Sequence, residues 1–259
     1  MGYALVTGAS KGIGKAIAKE LAKRQYDILL VARSSSQLTA TAEEITKQFG
    51  VKTDCLAIDL SLPGSTYELF DWCKINKYSV EVLVNNAGYG LSGPVDKYTM
   101  DEYTAMMQVN MNAVVGLCHL FLPELKKIPQ AYILNIASTT AYQSVPGLAL
   151  YAASKSFVLS YSRTLTYELR KTTVSVTCVS PGSTDTDFVN RANMSKNTRK
   201  AADKFNMTPE AVAAIAVKAM LHKRTEVITG AVNKLGAFLV WLLPKKFVEA
   251  QVAAIYDIK

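Results

Sequence analysis

The sequence predicts an α/β fold with a doubly wound parallel β-sheet in three α/β/α layers, and three observations carry that prediction. Short apolar runs rich in β-branched residues recur along the 259 residues, stretches of helical periodicity separate them, and a glycine-rich turn joins the first run to the first helical stretch. Such runs between helices read as strands buried on both faces. That places helices on each side of a parallel sheet and right-handed crossovers between strands. The length suits one large domain with a sizeable core.

In chain order, ALVTG reads as a strand, IGKAIAKELAKRQ as a helix and DILLVA as a strand. QLTATAEEITKQF (helix), KTDCLAID (strand), STYELFDWCKI (helix) and VEVLVNN (strand) continue the alternation. A long helix is expected from about residue 100 to 122, then the strand AYILNIAS, a helix over 151–171, the strand TVSVTCVSPG, the helix PEAVAAIAVKAML and a last strand, TEVITG. Thr208-Pro209 supplies an N-cap and a first-turn proline for the penultimate of these. Residues 1–259 thus read as a single domain without repeats. The polar excursion at 185–208 is either an ordinary loop or a lid, since ligands of such sheets sit beyond the carboxyl ends of the strands. The apolar stretch LGAFLVWLLP (235–244), within a C-terminal extension over 231–259, is about half the ~20 residues that span a bilayer. Three readings stand for it: core or subunit contact, wall of a substrate pocket, or contact with a membrane surface.

Composition narrows the partners. The formal charge of +8 invites an anionic partner, but no basic cluster or basic-aromatic stripe points to nucleic acid. A phosphate-rich cofactor needs only a few positive charges. Four cysteines without a CxxC pair suggest reduced thiols in the cytoplasm, and His119 and His222 lack metal-ligand spacing, so no metal is expected. The chain enters a strand almost at once, so no leading signal is expected, and the sequons at Asn193 and Asn206 read as chance.

The segment TGASKGIG carries Gly8, Ser10, Lys11, Gly12, Ile13 and Gly14 between the first strand and the first helix. Glycines let the backbone approach a pyrophosphate, and the helix start offers free N–H groups and the positive end of a dipole. The second strand ends at Ala32-Arg33-Ser34 with no acid in reach for a ribose 2′-hydroxyl. Arg33, joined by Lys11, suits a 2′-phosphate, which makes NADP(H) the expected cofactor.

Tyr151-x3-Lys155 raises a question of selection, because the same spacing recurs at Tyr167-x3-Lys171. Each tyrosine has a serine thirteen residues upstream, Ser138 and Ser154. Ser154 and Tyr167 share one helical pattern, which holds them ~20 Å apart, whereas Pro146-Gly147 lets the chain fold Ser138 back over Tyr151. Lysine one turn along the helix also favours the phenolate. A phenol with a pKa near ~10 needs about 4 kcal/mol to serve as a base at neutral pH. An ammonium ~5 Å away at an effective dielectric of ~20 contributes about 3 kcal/mol, and the positive nicotinamide of the oxidised cofactor could supply the rest.

The G-x3-G-x-G spacing, the NNAG at Asn85–Gly88, and Ser138 with Tyr151-x3-Lys155 together resemble the short-chain dehydrogenase/reductase family, in its NADP(H)-type branch. The resemblance covers the chain up to about residue 230. It implies a Rossmann-like fold and an oxidoreductase acting on a carbonyl or alcohol. Tyr151 would be the proton donor or acceptor, Ser138 would bond the substrate oxygen, and Lys155 would hold the nicotinamide ribose. Asn110, rather than its neighbour Asn112, would support a proton relay through water. Asp59 and Leu60 would contact adenine, and Asn86, Ala87 and Gly88 would line the ribose, with Asn85 a brace within the sheet. Pro181, Gly182, Thr184 and Thr186 would meet the nicotinamide amide. The family also implies a homo-dimer or homo-tetramer through the long helices near 100–122 and 151–171. The apolar run and basic loop suggest a hydrophobic or acyl-chain substrate, or one on a phosphopantetheine carrier. Two other readings share these motifs: a non-catalytic dinucleotide sensor or scaffold, and a nicotinamide-dependent epimerase or dehydratase, which usually has a larger C-terminal region.

Overall fold

The computed structural model describes residues 2–184, 192 and 206–256. Within them lie strands β1 (Tyr3–Thr7), β2 (Asp27–Ala32), β3 (Thr53–Ala57), β4 (Val80–Asn85), β5 (Ala131–Ile136), β6 (Val174–Ser180) and β7 (Glu226–Ile228). They form one sheet in the order β3-β2-β1-β4-β5-β6-β7, every neighbouring pair parallel. Alternate residues of a strand face opposite layers. Leu5, Leu29, Leu83 and Ile133 accordingly enter one core, while Val6, Leu30, Val84 and Leu134 enter the other.

The helices are α1 (Gly12–Ala22), α2 (Ser35–Phe49), α3 (Ser65–Ile75), α4 (Met100–Met107), α5 (Ala113–Leu125), α6 (Ala149–Glu168), α7 (Pro209–Leu221), α8 (Ala231–Leu242) and α9 (Lys245–Ile255). Ile17 and Leu21 of α1, Leu38 and Ile45 of α2, and Val217 and Met220 of α7 cover one face of the sheet. Leu69 of α3, Leu117 and Phe121 of α5, and Val158 and Leu165 of α6 cover the other. The three-layer prediction holds, and the strand order reverses between β1 and β4, which opens a crevice at their carboxyl ends.

Two helices differ from expectation. The helix expected over 100–122 runs on to Leu125 and is broken by a π-helical turn at Gln108–Asn112, where the Ala113 N–H bonds the Gln108 carbonyl. By length and composition Met100–Leu125 would suffice to cross a membrane, yet Val109, Leu117 and Phe121 pack into the core beneath the sheet. The helix expected over 151–171 ends at Glu168, so Lys171 lies beyond it. Thr208 caps α7 as expected, its side chain accepting from the Ala211 N–H at 3.2 Å. Thr186, like the rest of 185–205 apart from Ala192, lies outside the described residues. The apolar run at 235–244 does not enter the core: it completes α8, in which no residue is buried, and breaks at Pro244 before α9.

Candidate active site

Loop geometry at the start of α1 explains its glycines. Gly8 (φ 66°) and Gly12 (φ 57°) take left-handed conformations that favour glycine. At Gly14 a Cβ would fall 2.2 Å from the Gly8 carbonyl oxygen and 2.4 Å from the Asn86 amide nitrogen, so only glycine permits this approach. The Thr7 hydroxyl ties the turn to the end of β4. It donates to the Val84 carbonyl at 3.1 Å and accepts from the Asn86 and Ala87 N–H groups at 3.0 and 3.1 Å. Asn86 returns its side-chain amide to the Thr7 carbonyl at 2.9 Å.

A cavity of about 930 Å³ runs from this turn to the start of α6. Its near end is lined by Ser10, Lys11, Gly12 and Ile13, with Arg33, Asp59 and Leu60 beside them. Arg33 stands 3.8 Å from the Asp59 carboxylate, whose other oxygen accepts from the Ser61 N–H and hydroxyl at 2.9 and 2.8 Å. The two residues expected at the adenosine end therefore sit side by side. Ala87, Gly88, Pro181, Gly182 and Thr184 line the middle. Left-handed glycines at the start of α1 and a cavity of this volume lined from Ser10 to Lys155 fit a dinucleotide.

At the far end, Ser138 leaves β5 and caps a 3₁₀ turn (Thr139–Tyr142), its hydroxyl accepting from the Thr140 N–H at 3.2 Å. The same hydroxyl hydrogen-bonds the phenol of Tyr151, which lies in the first turn of α6 and is 7% exposed. Lys155, one turn on and 5% exposed, donates from Nζ to the Ile136 carbonyl at 2.9 Å and stands 5.8 Å from the centre of the Tyr151 ring. Burial governs both groups. It pushes the Tyr151 phenol upward, with Ser138 opposing and Tyr256 adding to the rise, and it lowers Lys155 to about 8. Burial of the phenol thus works against the help that Lys155 was expected to give the phenolate.

Asn110 sits inside the π-turn, 1% exposed. It donates to the Tyr89 carbonyl at 2.9 Å and the Ser154 hydroxyl at 3.0 Å, and accepts from the Tyr89 N–H at 3.1 Å. Its oxygen and the Lys155 ammonium flank Gly88, where a Cβ would meet them at 3.0 and 3.3 Å. Ser154 in turn donates to the Tyr151 carbonyl at 2.7 Å. Asn112 instead bonds Gln108 on the exposed side.

The sequence model of the short chain dehydrogenases matches residues 2–197. The chain belongs to that family. It is 33% identical over 226 residues to a ketoacyl reductase of Nostoc sp., covering 86% of this chain and 77% of the relative. It is 36% identical over 221 residues to a very-long-chain 3-oxoacyl-CoA reductase of Anas platyrhynchos, covering 83% and 67%. Among solved structures, a short-chain dehydrogenase from Sphingobium yanoikuyae in complex with NADPH superposes with a TM-score of 0.82 at 26% identity, covering 93% of this chain and 94% of that one. This short-chain dehydrogenase is thus an oxidoreductase acting on CH–OH or C=O groups with a nicotinamide cofactor.

The cavity gathers all the sequence-predicted residues among those described, with Asn110 as the exception just behind its wall. Asn85 is a brace, as expected: its amide donates to Asn135 on β5 at 2.8 Å, and it does not reach the cavity. Sequence reasoning missed Thr7, whose only signal is its place ahead of the first glycine. It also missed Tyr142, whose hydroxyl donates to Glu226 on β7 at 2.6 Å and so ties the 3₁₀ turn to the sheet edge. Val252 and Tyr256 escaped notice as well; they pack with Tyr151 and Leu148 and close the cavity from the C-terminal end.

Proposed function

We propose that this protein is an NADPH-dependent reductase of an apolar ketone, most simply a 3-oxoacyl compound, running in reverse as an alcohol dehydrogenase. The observation that carries the reading is the paired hydroxyls of Ser138 and Tyr151 at the end of a cavity walled by Tyr89, Val145, Leu148, Val240 and Val252. The Nostoc ketoacyl reductase and the Anas very-long-chain 3-oxoacyl-CoA reductase support that class. Arg33 and Lys11, both on the adenosine end, support a 2′-phosphate over a free hydroxyl.

When bound, the reduced nicotinamide supplies the hydride equivalent to the carbonyl carbon. The chain's own residues handle the oxygen. Ser138 donates a hydrogen bond to it, and Tyr151 transfers its proton as negative charge develops, a contribution of about 10²–10⁴-fold in general acid catalysis. Burial suits Tyr151 to this direction, because a phenol held above its ordinary pKa remains a donor throughout the neutral range. Lys155, fixed on the Ile136 carbonyl and next to Gly88, would hold the ribose of the cofactor with its remaining protons. Asn110, locked on Tyr89 and Ser154, holds that wall and supports proton resupply through water. We further propose a cytoplasmic homo-oligomer.

A panel of 3-oxoacyl esters, steroids and small ketones assayed with NADPH and NADH separately tests this reading. The expected result is turnover of the apolar ketones with NADPH preferred, and Arg33→Ala reducing that preference by about 10–100-fold through loss of a charged hydrogen bond. NADH preference in the native protein would sink the cofactor assignment.

A further inference from the structure

Helix α8 is apolar, yet none of its residues is buried. Helical position splits it into two faces. Asn233, Gly236, Ala237 and Val240, spaced i, i+3, i+4 and i+7, line the cavity. Leu235, Phe238, Leu239 and Leu242 repeat that spacing on the opposite side and are 58%, 53%, 41% and 62% exposed. Trp241, on the flank, is 79% exposed, and Phe247 continues the patch into α9 at 53%. No described residue covers this face, and contiguous exposed apolar surface of this kind marks an interaction site.

Charge selects the occupant. Lys234, Lys245 and Lys246 fringe the patch, and Glu249 is the one acid between residues 231 and 256. A second copy seated here about a twofold axis would bring like lysines together across a self-complementary contact. An anionic lipid surface satisfies both features at once: acyl chains for the leucines, headgroups for the lysines, and the boundary for an exposed tryptophan.

We propose that the outer face of α8, with the start of α9, docks on the surface of an anionic lipid bilayer. The helix lies in the plane of the interface with Leu235, Phe238, Leu239 and Leu242 turned into the acyl boundary. Its inner face then holds the cavity wall one helix diameter, ~10 Å, from lipid. An apolar carbonyl substrate would pass from bilayer to cleft along this wall. That consequence rests on the apolar-ketone reading above, whereas the docking itself does not.

Flotation with vesicles of phosphatidylcholine, alone or mixed with phosphatidylglycerol, tests docking without any turnover measurement. Trp72→Phe leaves Trp241 as the sole tryptophan reporter. The expected result is flotation with the anionic vesicles, a blue shift of Trp241 emission and its quenching by brominated acyl chains. Lys245→Glu with Lys246→Glu should weaken binding on the order of tenfold or more, as should raised salt. Phe238→Ser with Leu242→Ser should abolish the emission shift, with NADPH binding retained as the check on folding. Absence of flotation at low salt, or flotation with unchanged Trp241 emission, would overturn the proposal. So would a native dimer that sediments as a monomer after Leu242→Ser while vesicles bind neither form, since that assigns the face to a second copy.

Discussion

The two Tyr-x3-Lys copies on and beyond α6 have the same letters and opposite surroundings. Tyr151 is 7% exposed, bonded to Ser138 and set beside a lysine that is 5% exposed. Tyr167 is 67% exposed, its ring lies under the Arg170 guanidinium at 3.9 Å, and its lysine falls after the helix has ended at Glu168. Even the serines part company. Ser138 reaches its tyrosine from another element, whereas Ser154 lies on the same helix as Tyr167 and spends its hydroxyl on the Tyr151 carbonyl and the Asn110 amide. Spacing identifies candidates; burial and a partner from a different strand decide between them.

Substitutions made in matched pairs test that contrast. The largest effect is expected for Tyr151→Phe, a loss of about 10²–10⁴-fold in kcat for NADPH-driven ketone reduction. Tyr167→Phe should stay within about twofold, since it alters an exposed ring. Next, Ser138→Ala should lower kcat by about 10–100-fold through one lost charge-assisted bond while leaving the melting temperature nearly unchanged. Ser154→Ala should do the reverse, costing about 1–3 kcal/mol in urea unfolding because the buried Asn110 amide loses a partner.

A separate effect, on stability alone, is a pH dependence carried by Lys155. Its pKa is lowered from 10.5 to about 8 by burial. A lowered folded-state pKa means that the unfolded chain binds more protons between those values, so the native protein loses stability as pH falls from 10.5 toward 8. The interval corresponds to about 3 kcal/mol. Lys155→Met should remove this slope in urea titrations of the cofactor-free protein, and Lys171→Met should keep it.

Much of the fold was legible because strands buried on both faces leave unbroken apolar runs: β2 through β7 fall within the runs that marked them, and β1 begins one residue before its own. Glycine positions were legible for a steric reason, as Gly14 against the Gly8 carbonyl illustrates. Three features were not. The π-turn that presents Asn110 inserts a single residue into a helix, which shifts the apolar period too little to read. The protonation balance at Tyr151 depended on burial, which helical spacing between two residues does not contain. The place of α8 was left open among three readings: its inner face walls the cavity, in line with the pocket-wall reading, while composition could not tell that Pro244 cuts the run short and leaves the outer face exposed.

The central claim is that burial holds Tyr151 protonated as the donor in carbonyl reduction. The direct test is the pH profile of kcat/KM for ketone reduction at saturating NADPH between pH 6.5 and 7.5, with alcohol oxidation measured over the same range. Because the phenol is raised, its donor form is lost only as pH climbs through that raised value, and the account predicts a flat reduction profile alongside oxidation that increases with pH. Reduction that falls nearly tenfold per pH unit across this window would show Tyr151 already ionised and would contradict the account.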